Sequence, residues 1–451
     1  MTGVSLSRWT MSYFVAALVA LLGGEMLMAA GYGFPSAALR APQTLVVVHL
    51  IAVGWLSLLM CGALLQFVPV LVARPLEATG LSLPALALLL AGLGVLLAGF
   101  LQLAGSLPPL AAALPAGAAL LATGFGLVTW SLALTLIKAR PLGLPARFVA
   151  VALVALAATA GLGAVFSVAL SLPVSSELVL GIAAAGLPVH AAAGLGGWLT
   201  FAAMGVSYRL LAMFMLAPDL EGRRPRSVLW AGTAALTVLI LGGLALALAR
   251  ADLTPALVAA ALIGLVALGL YSADMLHLYR ARKRRMIELN SQMAALALLS
   301  LAATAILALA LAALGQLSDP IGAVVFLLVF GWLTSLGLAK LYKIVAFLTW
   351  LECYGPVLGR APTPRVQDLV VEARARKWFL LHSVAAWTST AALLAGSPAM
   401  FRTGAGAMAL ATAAIAIELV RIRRLSDVDG AMRLPAGARL PRLLVSLAGP
   451  R

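Results

Sequence analysis

Residues 190–214 read HAAAGLGGWLTFAAMGVSYRLLAMF, and two other parts of the chain repeat the centre of this stretch. The tetrapeptide Gly-Trp-Leu-Thr that begins at Gly197 recurs as Gly-Trp-Leu-Ser at Gly54 and as Gly-Trp-Leu-Thr at Gly331. The copies are 143 and 134 residues apart. Because self-similarity at a nearly fixed period is typical of a repeated structural unit, this spacing predicts three equivalent helices.

Positions that follow the motif extend the likeness. At the eleventh and twelfth residues after the motif glycine, the three copies carry Leu65-Gln66, Tyr208-Arg209 and Tyr342-Lys343. Small and aromatic residues also recur by chance in membrane helices, where they allow close helix packing. The shared register of the second and third copies favours a true repeat over chance.

The composition indicates a membrane protein. Of 451 residues, 63% are hydrophobic and 10% are charged, which is more apolar surface than one soluble core could bury. Twelve apolar runs are long enough to cross a hydrocarbon layer of about 30 Å. Their continuous hydrophobicity predicts helices, since barrel strands would alternate between apolar and polar residues. The runs are 11–32, 45–73, 81–103, 110–136, 148–172, 178–217, 228–249, 255–278, 293–314, 321–351, 378–395 and 404–422.

The expected architecture is therefore a single all-α integral membrane domain with twelve helices in three quasi-equivalent four-helix arcs. The arcs are the internal repeats 11–136, 148–278 and 293–422, and a basic tail follows at 423–451. The second, sixth and tenth helices carry the repeated motif, and we expect them to line the inward sides of the arcs.

The basic residues predict the orientation and the partner. The net charge is +16, but the cations stand in short clusters between apolar runs, so they indicate membrane topology and a lipid bilayer partner, with no nucleic acid. With a cytoplasmic N-terminus, the outer loops hold only Arg40, Arg250 and Arg402 of 31 basic residues. Because Lys and Arg accumulate on the cytoplasmic side, we expect both termini in the cytoplasm. We expect the chain itself in the inner membrane of the cell.

A twelve-helix chain with three such arcs resembles subunit I of the heme-copper oxidase superfamily, whose members include cytochrome c oxidases and nitric oxide reductases. The closest local likeness is residues 190–208, HAAAGLGGWLTFAAMGVSY, which resembles the helix on which that family carries a copper-ligating histidine. The resemblance implies a copper role for His190 and a heme-ligand role for His49, which lies near the outer end of the second helix. It implies heme and copper as cofactors.

Departures from the family pattern restrict the chemistry. Run 228–249 lacks the paired copper histidines that the family places on its seventh helix, and run 321–351 lacks the heme histidines of its tenth. The chain contains four histidines, whereas the complete set of heme and copper ligands needs six. Ordinary oxygen reduction is thus excluded, and we predict no catalytic residue. The nitric-oxide-responsive membrane proteins of the NnrS type are a second resemblance, by helix count and metal class. It implies a role in nitric oxide or respiratory stress, beside other respiratory or denitrification membrane proteins.

Three polar residues in the outer half form the preferred candidate site for heme or a metal ion. His190 stands deep in an apolar run, where an ionisable residue usually has a function, although it could simply bond a carbonyl group. His49 is either a metal ligand or an interfacial histidine. Glu25 has a similar predicted depth to His49, and it could orient a metal-bound imidazole, carry a proton or remain a bonded polar residue.

A second group of candidates lies toward the predicted cytoplasmic side. Asp274 and His277 share one helical face, which fits a proton entry point, a metal ligand pair or an ordinary polar helix end. His382 stands near the start of run 378–395, so we expect it at the same side as His277. Cys61 and Cys353 fit neither a disulfide framework nor a zinc pattern.

Two further classes of function remain open from the sequence. Repeats, polar groups near the midplane and glycine-rich helices are also typical of transporters and permeases. The chain could alternatively be a scaffold or an assembly partner that keeps the oxidase fold without its metals.

Overall fold

A computed structural model describes residues 7–108, 112–220, 222–359, 362–432, 434 and 441–446. Within these residues the chain is helical and contains no strand, which confirms the predicted all-α class. Eleven of its helices are long and apolar enough to cross a membrane, so the chain is a multi-pass membrane protein. The helices are α1 (Thr10–Ala29), α2 (Pro42–Val72), α3 (Thr79–Leu103), α4 (Ala113–Lys138), α5 (Leu144–Ser171), α6 (Glu177–Ala185), α7 (Leu187–Met215), α8 (Arg223–Leu248), α9 (Thr254–Arg280), α10 (Leu289–Ala313), α11 (Ile321–Cys353), α12 (Glu372–Leu394) and α13 (Pro398–Arg423).

Two of the twelve predicted segments do not correspond to a single apolar spanning helix. Segment 178–217 is divided between the short helix α6 and the long helix α7, because the chain breaks at Gly186 and Pro188 then occupies the first turn of α7. Segment 378–395 belongs to α12, which begins six residues earlier, at Glu372. The 23 residues of α12 include charged, histidine and hydroxyl side chains, so this helix does not count among the eleven apolar spans.

All three copies of the repeated motif share a local backbone conformation. Each copy ends an eight-residue π-helical segment within a longer α-helix: Leu50–Ser57 in α2, Ala193–Thr200 in α7 and Leu327–Thr334 in α11. Longer π-helices are rare, and short ones frequently mark functional positions. The three motif regions are thus alike in backbone as well as in sequence, while their arrangement in three arcs stays a prediction.

The three helices that carry the motif are also the most buried of the eleven spans. Of the 18-residue apolar windows, 78% is buried in α7 and in α11 and 61% in α2, ahead of the 56% of α1. The motif tryptophans Trp55, Trp198 and Trp332 are almost completely buried. Packing therefore accounts for these indoles.

The chain folds as two compact units. Unit 1 comprises Met1–Gln66 and Ile287–Arg451, and unit 2 comprises Phe67–Met286. Unit 1 thus contains α1, most of α2 and α10 to α13. Of the predicted basic tail, 423–432, 434 and 441–446 are described, and this part folds back onto unit 1: the guanidinium group of Arg423 donates to the carbonyl oxygen of Arg442.

Candidate functional site

Unit 1 contains a buried cluster of three polar side chains from three helices. The carboxylate oxygen Oε1 of Glu25 on α1 lies 3.4 Å from Nε2 of His382 on α12. Thr412 on α13 donates its hydroxyl hydrogen to the same carboxylate oxygen over 3.1 Å. The exposed fractions of Glu25, His382 and Thr412 are 0%, 1% and 0%. Two ionisable groups are thus removed together from both water and lipid.

Close helix packing brings these side chains together. A Cβ atom on Gly24 would stand 2.5 Å from Ile51, so the glycine lets α1 pack tightly against α2. On the other side, a Cβ atom on Gly404 would stand 2.1 Å from the hydroxyl oxygen of Ser389, which brings α13 against α12. His382 is the eleventh of 23 residues in α12, and Thr412 is the fifteenth of 26 in α13. The cluster therefore lies near the middle of both helices.

Two atoms of the cluster lack hydrogen bonds. Oε2 of Glu25 and Nε2 of His382 are buried without a hydrogen-bond partner, because the close contact between Oε1 and Nε2 does not have hydrogen-bond geometry. A buried polar atom without a partner costs about 1–3 kcal/mol and therefore calls for an explanation. These two unbonded atoms can therefore bind a proton or a small polar ligand.

The position of His382 corrects the prediction that grouped it with His277 away from Glu25. That prediction rested on a helix that begins at 378, which would place His382 close to a helix end. The additional turns of α12 from Glu372 move His382 to the middle of the helix, beside Glu25.

His49 lies at the expected level but contacts a different group from the one predicted. Gly23 and Gly24 of α1 pack against Leu50 and Ile51, so Glu25 is close in depth to His49. The ring nitrogen Nδ1 of His49 lies 2.9 Å from the carbonyl oxygen of Leu45, one turn earlier in α2. Since a carbonyl oxygen only accepts, Nδ1 carries the hydrogen and Nε2 is the basic nitrogen. Glu25 contacts His382 of α12 and accepts a hydrogen bond from Thr412 of α13 instead of orienting this imidazole.

His190 lies in the first turn of α7 and contacts α5. It is the fourth residue of α7, and its Nδ1 lies 3.1 Å from the carbonyl oxygen of Thr159 on α5. Its ring packs edge-on against Phe166, with ring centroids 5.5 Å apart, and Gly163 leaves space for it. These contacts match the alternative that the sequence left open, a histidine bonded to a carbonyl group, in a partly buried position.

Asp274 and His277 do not act as a pair. Asp274 is fully buried and accepts a 2.8 Å hydrogen bond from the hydroxyl group of Tyr208 and a second from the guanidinium group of Arg224. His277, one turn later on α9, is exposed. Asp274 therefore joins α7, α8 and α9 in a structural ion pair, which the sequence did not reveal because Arg224 is 50 residues away along the chain.

An ionic network joins the end of α13 to the start of α12. Arg374 donates to Glu418 and to Asp427, with closest distances of 2.6 Å to each. Arg421 donates to the other oxygen of Asp427 over 2.6 Å. The hydrogen bonds from Arg374 and then Arg421 lower the pKa of Asp427 to about 2. A buried ion pair between Arg423 and Glu352 lies beside this network in unit 1.

Each predicted repeat has an ion pair between its third and fourth helices. Glu77, just before α3, bonds Lys138 at the end of α4 over 2.9 Å. Arg224 bonds Asp274 near the end of α9. In the last repeat, Arg374 bonds Glu418 near the end of α13. The position recurs while the charges of the first pair are reversed, so sequence alignment alone could not detect it.

The described residues contain no group of three or more His, Cys, Asp or Glu side chains that could hold a metal ion. The described residues therefore do not fit the complete copper site of the heme-copper oxidases, as the missing histidines of run 228–249 already indicated. A single axial heme ligand remains compatible with His49, because metal-bound histidines commonly donate their other ring hydrogen to a carbonyl oxygen. No protein-family model and no curated protein matches the chain.

Proposed function

We propose that the chain is a proton-coupled membrane protein whose exchange site is the Glu25–His382 pair, a function of the transporter class. The observation that carries the proposal is a carboxylate and an imidazole 3.4 Å apart, both fully buried, with unbonded atoms at Oε2 and Nε2. His382 lies near the middle of α12, and Glu25 is the sixteenth of 20 residues in α1. Ionisable residues inside a membrane usually mark ion pathways or proton relays.

Charge balance explains how such a pair would work. With one proton shared between them, Glu25 and His382 are neutral overall, either as a neutral acid and imidazole or as an ion pair. Gain or loss of a proton would leave a net charge in the interior, which is costly without compensation. Proton exchange must therefore be linked to opening toward water or to movement of a compensating charge. Thr412 keeps Oε1 fixed by its hydrogen bond while the proton moves.

Infrared difference spectroscopy tests the exchange site directly. We expect purified wild-type protein in nanodiscs to show a carboxylic acid carbonyl band whose intensity depends on pH and which Glu25→Gln removes. His382→Gln should shift the pH at which this band changes, because the imidazole no longer shares the proton. Asp274→Asn is the control and should leave the band unchanged. A pH-independent spectrum in this region, or a band that survives Glu25→Gln, would overturn the proposal.

Heme binding through His49 is a second candidate, and the Nδ1 hydrogen bond to Leu45 supports it by leaving Nε2 as the basic nitrogen. A bound heme would supply one-electron chemistry or nitric oxide binding, which the likeness to heme-copper oxidases and NnrS-type proteins implies. In this setting His49 would hold the iron, and the Leu45 carbonyl would orient the ring.

An optical spectrum of protein purified from heme-replete cells tests the second candidate. A Soret band should appear in the wild type, weaken or vanish in His49→Ala and remain in His277→Ala, whose side chain is exposed. Absence of the band in the wild type would eliminate heme while leaving the proton proposal intact.

The cellular location belongs to the same proposal. An inner membrane with both termini in the cytoplasm follows from the 28 basic residues that remain on that side after Arg40, Arg250 and Arg402 are assigned outside. Respiratory or denitrification membrane proteins are the partners that a redox-linked role would require.

A further inference from the structure

Unit 2 has an apolar groove on the surface between α4 and α5. The groove encloses about 310 Å³, close to the lower limit of ordinary ligand pockets. Small side chains at Ala133, Ala150 and Ala157 form part of its lining, and Ile137 and Val154 stand beside them. These last two are 55% and 69% exposed, so the groove is open toward the side of the helix pair.

A cation marks one end of the groove. Arg140 follows α4 directly, lines the groove and is exposed. The neighbouring cation Lys138 already bonds Glu77 over 2.9 Å, and Arg147 donates its Nε hydrogen to the carbonyl oxygen of Leu142. The connection between α4 and α5 thus has more positive than negative charge, and Arg140 is the cation that belongs to the groove.

We propose that this groove binds one anionic phospholipid, with an acyl chain along the helices and its phosphate at Arg140. The groove is apolar over its length and charged at one end, which matches the two parts of a phospholipid. From Thr129 to Arg140 it follows about 16 Å of chain at the helical rise. An arginine guanidinium is well suited to a phosphate, because it can donate two parallel hydrogen bonds.

The setting favours a lipid over a protein partner. The chain is a multi-pass membrane protein, so an open groove on the side of two spanning helices faces acyl chains. A protein helix would need a broader surface than one narrow groove, and its recognition would not require a charge at the groove end. Basic residues beside membrane helices on the cytoplasmic side attract anionic lipids.

Native mass spectrometry of the full-length protein tests the proposal. The protein is delipidated in detergent and mixed with equal amounts of phosphatidylglycerol and phosphatidylcholine. We expect retention of one phosphatidylglycerol molecule in preference to phosphatidylcholine, and Arg140→Gln should reduce that preference about tenfold, as expected for loss of a charge-assisted hydrogen bond. Arg147→Gln is the matched control, because it removes the same charge from the first turn of α5, close to the same connection, without lining the groove.

A second variant separates the acyl chain from the headgroup. Ala157→Phe fills the groove at an exposed position and should lower retention of both lipids. Equal retention of the two lipids by the wild type, equal effects of Arg140→Gln and Arg147→Gln, or unchanged retention in Ala157→Phe would each overturn the proposal. The proposal is supported if the delipidated wild type prefers phosphatidylglycerol to phosphatidylcholine and if only added phosphatidylglycerol vesicles compete for the bound lipid.

Discussion

Glu25 and His382 are 357 residues apart in the chain and 3.4 Å apart in the fold. At the scale of residues, this pair is the feature that distinguishes unit 1 from an ordinary apolar helix bundle. A buried ion pair often contributes little net stability, but loss of one partner leaves an uncompensated polar group in the interior. The free energies of single and double substitutions should therefore differ strongly.

A double-mutant cycle measures that difference. Glu25→Leu and His382→Leu should each destabilise the protein by about 3–5 kcal/mol, whereas the double variant should lose clearly less than the sum, because neither partner then remains unpaired. Thermal unfolding in detergent provides the free energies. The exposed pair Arg250–Glu177, with side chains 64% and 82% exposed, is the control and should show no measurable coupling. Additive losses at Glu25 and His382 would contradict an interacting pair.

Part of the candidate site could be predicted from sequence, and part could not. Glu25 stood out because a carboxylate in an apolar run is costly. Its partner could not be found in the same way, because the choice between His49 and His382 depends on where α12 begins. When the predicted start of α12 is wrong by six residues, the predicted distance of His382 from the start of the helix is wrong by about 9 Å. Thr412, a common residue in membrane helices, gave no sequence signal.

At the scale of elements, a shorter π-helical segment in α8, Val238–Gly242, lacks the repeated motif, whereas each copy of the motif lies at the end of an eight-residue π-helical segment. Wider turns in a π-helix shift the following side chains around the helix, and each segment ends at the Ser or Thr of its motif. The motif glycine at 197 faces α5, where a Cβ atom would stand 2.6 Å from the Cβ atom of Ala155. Close packing between helices therefore explains this glycine of the motif.

Two adjacent glycines of α7 test this explanation. Gly197→Ala should destabilise the protein by about 1–3 kcal/mol, because the added methyl group overlaps Ala155 and forces the helices apart. Gly196→Ala is the matched control: nothing lies within 4 Å of its added atom, so stability should stay equal or rise slightly. Chemical or thermal unfolding of both variants in the same detergent decides the matter. Equal effects of the two changes would mean that the motif glycine has no packing role.

Hydropathy predicted most elements correctly, since eleven long apolar helices occur in the structure. Hydropathy failed where the local backbone geometry determines how a helix begins, ends or turns. The break at Gly186 falls inside a continuous apolar run, so hydropathy alone could not separate α6 from α7. Hydropathy also could not predict the π-helical segments, because a wider helical turn changes the direction of the side chains without changing the composition.

At the scale of the whole molecule, recurring ion pairs complement the recurring motif. The pairs Glu77–Lys138, Arg224–Asp274 and Arg374–Glu418 each join the third helix of a predicted repeat to the end of the fourth. Charge reversal in the first pair preserves the attraction while erasing the sequence likeness. The attraction between oppositely charged side chains is thus kept at all three places, while the three-repeat arrangement itself stays a prediction.

The last of these ion pairs extends into a network that gives the protein a defined acid sensitivity. Arg374 and Arg421 lower the pKa of Asp427 to about 2, from the usual value of 3.8 for an aspartic acid. A carboxylate whose pKa is lower in the folded state stabilises the fold above its unfolded pKa, and that stability is lost as the pH falls toward the folded value. The contribution of Asp427 should be complete above about pH 5, fall most steeply between pH 4 and pH 2, and be absent by about pH 1.

Comparison of the wild type with Asp427→Asn across this range measures the contribution. The variant should be less stable by about 2 kcal/mol at neutral pH, because a pKa unit corresponds to about 1.4 kcal/mol. The difference should shrink between pH 4 and pH 2, as the wild type takes up the proton that the variant cannot bind. Asp319→Asn, at an exposed position in unit 1, is the control and should track the wild type. A constant difference between wild type and Asp427→Asn over this pH range would show that the network acts through packing and not through the charge of Asp427.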